Sequence, residues 1–572
     1  MKKGIRLVAL LAVGMLVFSM GIAAAAEEDM KKQLELADDI TKETIVGPGS
    51  VQVSTEKDIL MSFGATVRII PTSESDWDFG MSDKTDGYLN FGTGPNLGNE
   101  FFRIHSNESG FVKDSYIRTE SKIYFNAMPK DRQWSFYAAL EFDTPLDTQT
   151  VDNRGGRDVT SSNFGLERLH ISYALPFNTR LHAGWDIWHV DVIEAAGLVY
   201  GDDNPGFWLT GDSDTVSYSL GYFKLSENDF QLSPTDFDDA KDADRDLYAG
   251  YLNWTPTDGH KLQGFYTFDR IRNVGVNDFT AALTGGALIG SGVGIATGEV
   301  PDVDSHHVGG YYLGNFGALE LFVEGTYQFG SADNTGLGAL GKEDDYDINA
   351  YALAADISYE LKGILTGFPL KPHLGIIYTS GDDDPNDDKL GGYNGNVNAQ
   401  RFSQRFGGEN TIIGDNNFVL GTALYGYLPE FYGNGTPVFT GGLQNFAGTG
   451  NGRGDNPGMT MISGGLTIAP KPFLIYKTNV NYFRWNEDIF VQNLVTPINF
   501  ATGQPFITKV SSGYVGTEWD NEVTLATSKH SYLKGQFSMF FPGSVLEDVT
   551  EALGAKSDDT AYRLAAELII NF

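Results

Sequence analysis

Carboxylate and basic side chains recur at every second position in several segments of the chain. Near the C-terminus, Glu518, Asp520 and Glu522 lie two positions apart from one another in turn, and Arg563 and Glu567 lie four positions apart. Three carboxylates on one face could bind a cation or pair with basic side chains of neighbouring strands. Residues two apart on a strand are roughly 7 Å apart, which is too far for a tightly shared cation. The spacing therefore favours ion pairs within a wall of strands.

A second group of carboxylates lies in one short segment and could bind Ca²⁺ or Mg²⁺ through oxygen ligands. Its members are Asp382, Asp383, Asp384, Asp387 and Asp388. The segment lacks the spacing and the glutamate of an EF-hand loop. A solvated acidic loop is the alternative, and the sequence leaves both interpretations open.

The sequence does not predict a catalytic site. It contains no cysteine, which excludes disulfides, thiolate metal sites, thiol catalysis and haem attachment within the chain. None of its nine histidines stands with an identifiable serine and aspartate partner. We therefore expect no catalytic residues, no enzymatic activity and no cofactor beyond a cation on the acidic loops.

The C-terminal segment indicates which element presents the charged side chains. From Asp559 to Phe572 apolar residues occupy one face, whereas Arg563 and Glu567 lie on the other. A period of two over this length is typical of a β-strand whose two faces meet different environments. Charge behind an apolar face suits a barrel wall with lipid outside and water inside. A final strand ending in an aromatic residue is also similar to the signal that outer-membrane barrels present to their assembly machinery.

The N-terminus predicts export. Lys2, Lys3 and Arg6 precede the apolar run Leu7 to Met20, and a small-residue stretch ends at Ala26. We expect a cleaved signal peptide, followed by a short periplasmic segment and then the barrel, with boundaries 1–26, 27–58 and 59–572. Removal of the three basic residues makes the formal charge −38 rather than −35. Such an acidic chain is not expected to bind nucleic acid.

The fold class predicted for residues 59–572 is all-β, a transmembrane antiparallel β-barrel of about eighteen strands. One opening strand, eight hairpins and one closing strand give the count, and residues 204–211 are the weakest segment. The hairpin turns are short and carry Pro, Gly, Asn and Asp, whereas the other connections are long. This asymmetry predicts short periplasmic turns and long extracellular loops in the bacterial outer membrane.

Strand parity assigns the charged side chains that line the lumen. The basic ones are Arg68, Arg118, Lys122, Arg168, Lys371, Lys477, Lys534 and Arg563. The acidic ones are Glu120, Glu141, Glu320, Glu324, Glu518, Asp520, Glu522 and Glu567. The near balance predicts weak selectivity, slightly cationic because acidic outer loops enrich cations at the mouth. The longest loop, Gly381 to Asn456, could also fold inward and constrict the lumen.

Two stretches resemble a known family. Tyr378 to Asp388 reads Y-T-S-G-D-D-D-P-N-D-D and resembles the Y-x-S-G-D-x-D-P-x-D stretch of alginate-export-type porins. Gly516 to Asp520, followed by Phe540 to Gly543, is similar to the G-x-E-x-D … F-F-P-G hairpin of the same family. The resemblance implies a monomeric eighteen-stranded outer-membrane barrel. The family's type member exports alginate through an electropositive constriction, and the balanced lining departs from that pattern.

The leading functional interpretation is a passive, weakly selective outer-membrane channel for hydrophilic solutes or oligosaccharides. One alternative is the barrel sheath of a conduit that houses a periplasmic cytochrome. The other is an exporter of an anionic polysaccharide. The expected partners are outer-membrane lipid, lipopolysaccharide and the barrel-assembly machinery, which would recognise the C-terminal strand.

Overall fold

Eighteen long strands form the wall of the molecule in the computed structural model. The structure describes residues 51–54, 58–76, 113–145, 165–190, 198–227, 229–230, 241–242, 244–272, 302–334, 343–362, 367–384, 387–393, 395–396, 457–492, 507–552, 556 and 558–572. The wall strands are β1 (Ile59–Ser75), β2 (Lys113–Pro129), β3 (Trp134–Pro145), β4 (Gly165–Leu175), β5 (Thr179–His189), β6 (Gly201–Asp212), β7 (Val216–Ser226), β8 (Arg245–Thr257), β9 (His260–Ile271), β10 (Asp302–Phe316), β11 (Leu319–Asp333), β12 (Tyr346–Tyr359), β13 (Pro369–Thr379), β14 (Met459–Lys471), β15 (Leu474–Trp485), β16 (Tyr514–Ser528), β17 (Ser531–Pro542) and β18 (Ala561–Asn571).

Each wall strand pairs antiparallel with its neighbours in the chain, and β18 pairs with β1. At this seam Thr66 lies opposite Asn571, and Ala65 exchanges two backbone hydrogen bonds with Phe572 at 2.7 and 2.9 Å. Closure leaves no free wall edge at the seam and satisfies its backbone polar groups, as a membrane-spanning sheet requires. The predicted closed antiparallel barrel of eighteen strands is confirmed, and residues 204–211 lie within a regular strand.

Short turns join the strands in pairs at one end of the barrel, and long connections join the pairs at the other. We call these the turn end and the loop end. The β10–β11 turn contains Gly317 at φ +71°, a left-handed conformation that glycine adopts without a Cβ clash. The chain therefore reverses within a few residues at the turn end, and longer insertions gather at the loop end.

The two faces of the wall differ as the alternating sequence dictates. On β12, Tyr351, Leu353 and Ile357 face outward and are exposed, whereas Ala350 and Asp356 face inward and are buried. Outward Leu220, Phe207 and other large apolar side chains repeat this pattern around the barrel. An apolar belt outside a polar lumen is the arrangement of an outer-membrane barrel.

A short N-terminal strand, Val51–Ser54, pairs antiparallel with residues 60–63 of β1. It occupies the part of the β1 edge that lies beyond the C-terminal residue Phe572. Residues 27–58 are assigned to a periplasmic segment from the sequence, which does not predict this strand. Four residues are too few to show a clear period of two. The signal peptide predicted for residues 1–26 lies outside the described residues.

The structure also contains a helix and several short strands in addition to the wall strands. A helix, α1 (Ser544–Ala552), buries Val545 and Leu546 against the loop end. None of the described helices is long and apolar enough to cross a membrane. The remaining short strands are Asp229–Phe230, Lys241–Asp242, Leu361–Lys362, Lys389–Leu390, Ile489–Gln492 and Ile507–Val510.

Candidate pore lining and lumen constriction

A run of ion pairs crosses the seam on the inner face. The Arg68 guanidinium lies 2.8 Å from the Glu120 carboxylate on β2 and 2.9 Å from the Glu567 carboxylate on β18. Arg68 and Glu567 are buried, so each charge depends on the other for stabilisation. Three residues predicted to line the lumen are thus brought together by β1, β2 and β18.

The run continues from β2 to β5 through a residue that strand parity missed. The Lys122 ammonium lies 3.1 Å from Glu141 and 2.7 Å from Glu167. Arg168 lies 3.2 Å from Glu167 and 3.8 Å from Asp186 on β5. Ala139 pairs with Arg168 but Leu140 pairs with Leu166, so Glu167 is the extra residue of a β-bulge. The bulge turns two consecutive charged side chains toward the same network.

Other strands of the wall carry separate pairs. Lys371 on β13 lies 3.2 Å from Glu320 on β11, and Lys534 on β17 lies 3.8 Å from Glu522 on β16. Lys477 is half-buried on β15 at the position paired with Glu522. Lys371 and Lys534 are therefore each matched by a carboxylate from another strand.

One row of hydrogen bonds spans β12 to β15 on the inner face. His373 Nδ1 lies 2.8 Å from the Asp356 carboxylate, and His373 Nε2 lies 2.6 Å from Asn479 Oδ1. Gly465 of β14 sits between His373 and Asn479 in register. A Cβ there would overlap both side chains, so only glycine lets the two groups meet.

Other predicted lining residues are also buried on the inner face. Asn481 Nδ2 donates to the Asp520 carboxylate at 2.9 Å. Glu324, Glu518, Asp520 and Arg563 are buried. The side chain of Arg118 lies outside the described residues. The buried Asp520 carboxylate is therefore stabilised by a hydrogen bond from a side chain of the neighbouring strand.

Part of the longest loop folds into the lumen near the loop end. After β13, the short strand Lys389–Leu390 pairs parallel with residues 347–348 of β12, and the chain then runs inward. Tyr393 and Asn396 are fully buried there. The Tyr393 hydroxyl donates to the carbonyl of Leu198 at 2.7 Å, and the Asn396 N–H donates to the carbonyl of Val199 at 2.8 Å. The described residues up to 396 therefore narrow the lumen, while residues 397–456 lie outside the described part.

Three wall residues that hold this inward segment were missed by sequence reasoning. They are Arg245 on β8, Asp269 on β9 and His307 on β10, all buried. Arg245 donates to the Asp269 carboxylate through Nε at 3.0 Å and Nη2 at 2.6 Å. Strand parity on β9 and β10 could have assigned Asp269 and His307 inward. Both residues contact Asn396, which lies far along the chain, and no local sequence pattern predicts that contact.

The acidic segment after β13 is held by its own backbone. The Asp382 carboxylate is buried and accepts N–H groups of Asp384 at 3.1 Å and Gly391 at 3.0 Å. Asp387 accepts the N–H of Lys389 at 2.8 Å. No three acidic or histidine side chains converge on a metal-sized site within the described residues. Cation binding by Asp382, Asp383, Asp384, Asp387 and Asp388 stays a prediction.

Carboxylates of two connections lie near one another at the loop end. Burial, with the nearby charges of Asp383 and Asp488, raises the pKa of the Glu487 carboxyl above its usual range. Glu487 therefore takes up a proton more readily than an isolated glutamate does.

The alginate export family model matches residues 210–424 of the chain. The predicted resemblance to alginate-export-type porins is confirmed. The match to the alginate export family runs from the end of β6 through β13 and includes Arg245, Asp269, His307 and Asn396. No curated protein sequence matches the chain significantly.

Several solved porin structures are similar to the chain. OccK11 (OpdR) of Pseudomonas aeruginosa is 10% identical, with 90% of this chain and 96% of that chain covered and a TM-score of 0.42. OpdK of the same organism is 10% identical, with 92% and 100% covered and a TM-score of 0.42. A BenF-like porin from Pseudomonas fluorescens Pf-5 is 12% identical, with 90% and 99% covered and a TM-score of 0.43.

Proposed function

We propose that the protein is a passive, weakly selective channel of the bacterial outer membrane for small or oligomeric hydrophilic solutes. One observation carries the proposal. The basic side chains Arg68, Lys122, Arg168, Lys371 and Lys534 each lie within 4 Å of a carboxylate in the lumen. Paired charges keep the wall polar and hydrated. They leave only a small net electrostatic field in the lumen, so the channel discriminates weakly between cations and anions.

In this proposal the turn end faces the periplasm and the loop end faces outward. Residues 1–26 are removed on export, and the mature chain functions as a monomer surrounded by lipid and lipopolysaccharide. The C-terminal strand presents the assembly signal. The proposed channel is a non-enzymatic transporter with no catalytic step.

Export of an anionic polysaccharide is the second candidate, because the alginate export family model matches residues 210–424. A polyanion conduit needs an excess of basic groups at its narrowest point, since a low-dielectric wall focuses their field on the passing charge. Arg245 lies near the inward segment but is paired with Asp269. The paired lining supports the first candidate over the second.

The sheath of a cytochrome conduit is less well supported. A partner protein that threads the barrel would have to displace Tyr393 and Asn396, which are buried near the loop end. Co-purification of haem with the chain would support this alternative.

Proteoliposome swelling distinguishes the two leading candidates. We expect vesicles containing the folded protein to swell in neutral di- and trisaccharides and not to prefer oligouronates of the same length. Swelling that is much faster with oligouronates would favour polyanion export. No swelling with any small solute would contradict the channel.

A further inference from the structure

We infer that Asn396 is a positioning residue that fixes the inward segment 389–396 against the wall and thereby sets the width of the lumen. The inference rests on the proposed channel function and adds a determinant of its size limit. The segment here means its described residues, 389–393, 395 and 396.

The side chain of Asn396 meets hydrogen-bond donors and acceptors of the wall. Its Oδ1 accepts from the Thr267 hydroxyl at 2.8 Å, and its Nδ2 donates to Asp269 Oδ2 and His307 Nδ1, both at 3.2 Å. Its backbone carbonyl accepts from Arg245. A carboxylate only accepts hydrogen bonds, so the amide nitrogen must face Asp269 and the amide oxygen must face the Thr267 hydroxyl. The side chain of Asn396 thus engages β9 and β10, and its backbone carbonyl engages β8.

The Arg245–Asp269 ion pair makes this docking site rigid. Two parallel hydrogen bonds fix the guanidinium against the carboxylate, and both groups are buried. These wall groups form a polar recess, and Asn396 completes its hydrogen bonds. Loss of the amide would leave buried polar groups without that partner, which strongly disfavours the docked segment.

Further contacts hold the part of the segment that precedes Asn396. The Tyr393 ring meets the His307 ring edge-on at 5.8 Å between centroids. The Tyr393 N–H donates to the Ser380 carbonyl at 2.9 Å, and the Ser380 hydroxyl donates to the Gly391 carbonyl at 2.8 Å. These contacts anchor the base of the segment to the end of β13. The Asn396 cluster anchors it on the far side, at β8 to β10, so the segment is tied to the wall at two places.

Replacement of Asn396 by Ala tests the inference in planar bilayers. We expect single-channel conductance to rise by roughly twofold or more, since conductance follows the narrowest cross-section, and larger uncharged polymers to enter. Asn253→Ala is the matched control. Asn253 is also a buried, inward-facing asparagine of the wall, but its bonds go to Ser217 and Gln263. We expect wild-type conductance from that control.

A cross-link provides a second test, because the chain contains no cysteine. In the Thr267→Cys/Asn396→Cys double variant, oxidation should form a disulfide in assembled protein and give wild-type conductance. Reduction should raise conductance to the level of Asn396→Ala. Folding of every variant is checked by heat-modifiable mobility on gels.

Unchanged conductance and polymer exclusion in a folded Asn396→Ala channel would overturn the inference while leaving the channel function intact. Failure of the disulfide to form would also overturn it, even if Asn396→Ala does not fold. If the wild-type protein does not conduct, the proposed function fails, and disulfide formation still reports whether residue 396 lies at the wall.

Discussion

Arg68 of the first wall strand and Glu567 of the last form a buried ion pair across the barrel seam, with 2.9 Å between guanidinium nitrogen and carboxylate oxygen. The same guanidinium contacts Glu120 on the other side. One basic side chain thus neutralises carboxylates from both strands that flank β1. The pair links lumen electrostatics to closure of the fold, because it joins the first and last strands of the wall.

Loss of Arg68 should destabilise the closed barrel. Arg68→Ala leaves Glu567 and Glu120 without their shared cation, and an uncompensated buried charge costs about 3–5 kcal/mol. Urea unfolding in lipid vesicles, followed by tryptophan fluorescence, measures the free energy of unfolding. Lys130→Ala is the control. Its partner Asp58 is exposed, so we expect no measurable change. Equal stability of Arg68→Ala and wild type would contradict the role of the seam pair.

Glu167 should contribute to the charge balance of the lumen. It lies between Lys122 and Arg168, so Glu167→Gln removes one negative charge and leaves both basic groups in place. We expect the reversal potential in a KCl gradient to shift toward anions. Asp258→Asn in the β8–β9 turn removes the same charge outside the wall and should shift it less. An identical reversal potential in Glu167→Gln and wild type would show that ions do not sense this network.

Gly465 should be intolerant of a side chain. Gly465→Ala places a methyl group where His373 and Asn479 meet, and overpacking of this kind costs about 1–3 kcal/mol. Gly464→Ala is the matched control, because its methyl group would meet only Leu374, at 4.0 Å. Unfolding midpoints in urea compare the two variants. A smaller loss in Gly465→Ala than in Gly464→Ala would be inconsistent with the His373–Asn479 contact.

Local pattern was sufficient for the wall and insufficient for what lies inside it. A period of two fixes which side chains face inward, so Arg68, Glu120 and Glu567 could be predicted without knowledge of their partners. Glu167 could not, because a β-bulge breaks the period and has no distinctive composition here. The inward segment depends on a contact between Arg245 and Asn396, 151 positions apart. Such a contact is decided by the geometry of the closed barrel rather than by neighbouring residues.

We propose that the lumen is an open path lined by balanced charge, and the reversal potential of the wild-type channel tests this proposal most directly. Folded protein in a planar bilayer, under a KCl gradient, should open channels whose reversal potential is small and on the cation side. The acidic loop end supplies that slight bias. A large reversal potential on the anion side would contradict a charge-balanced lumen and favour polyanion export.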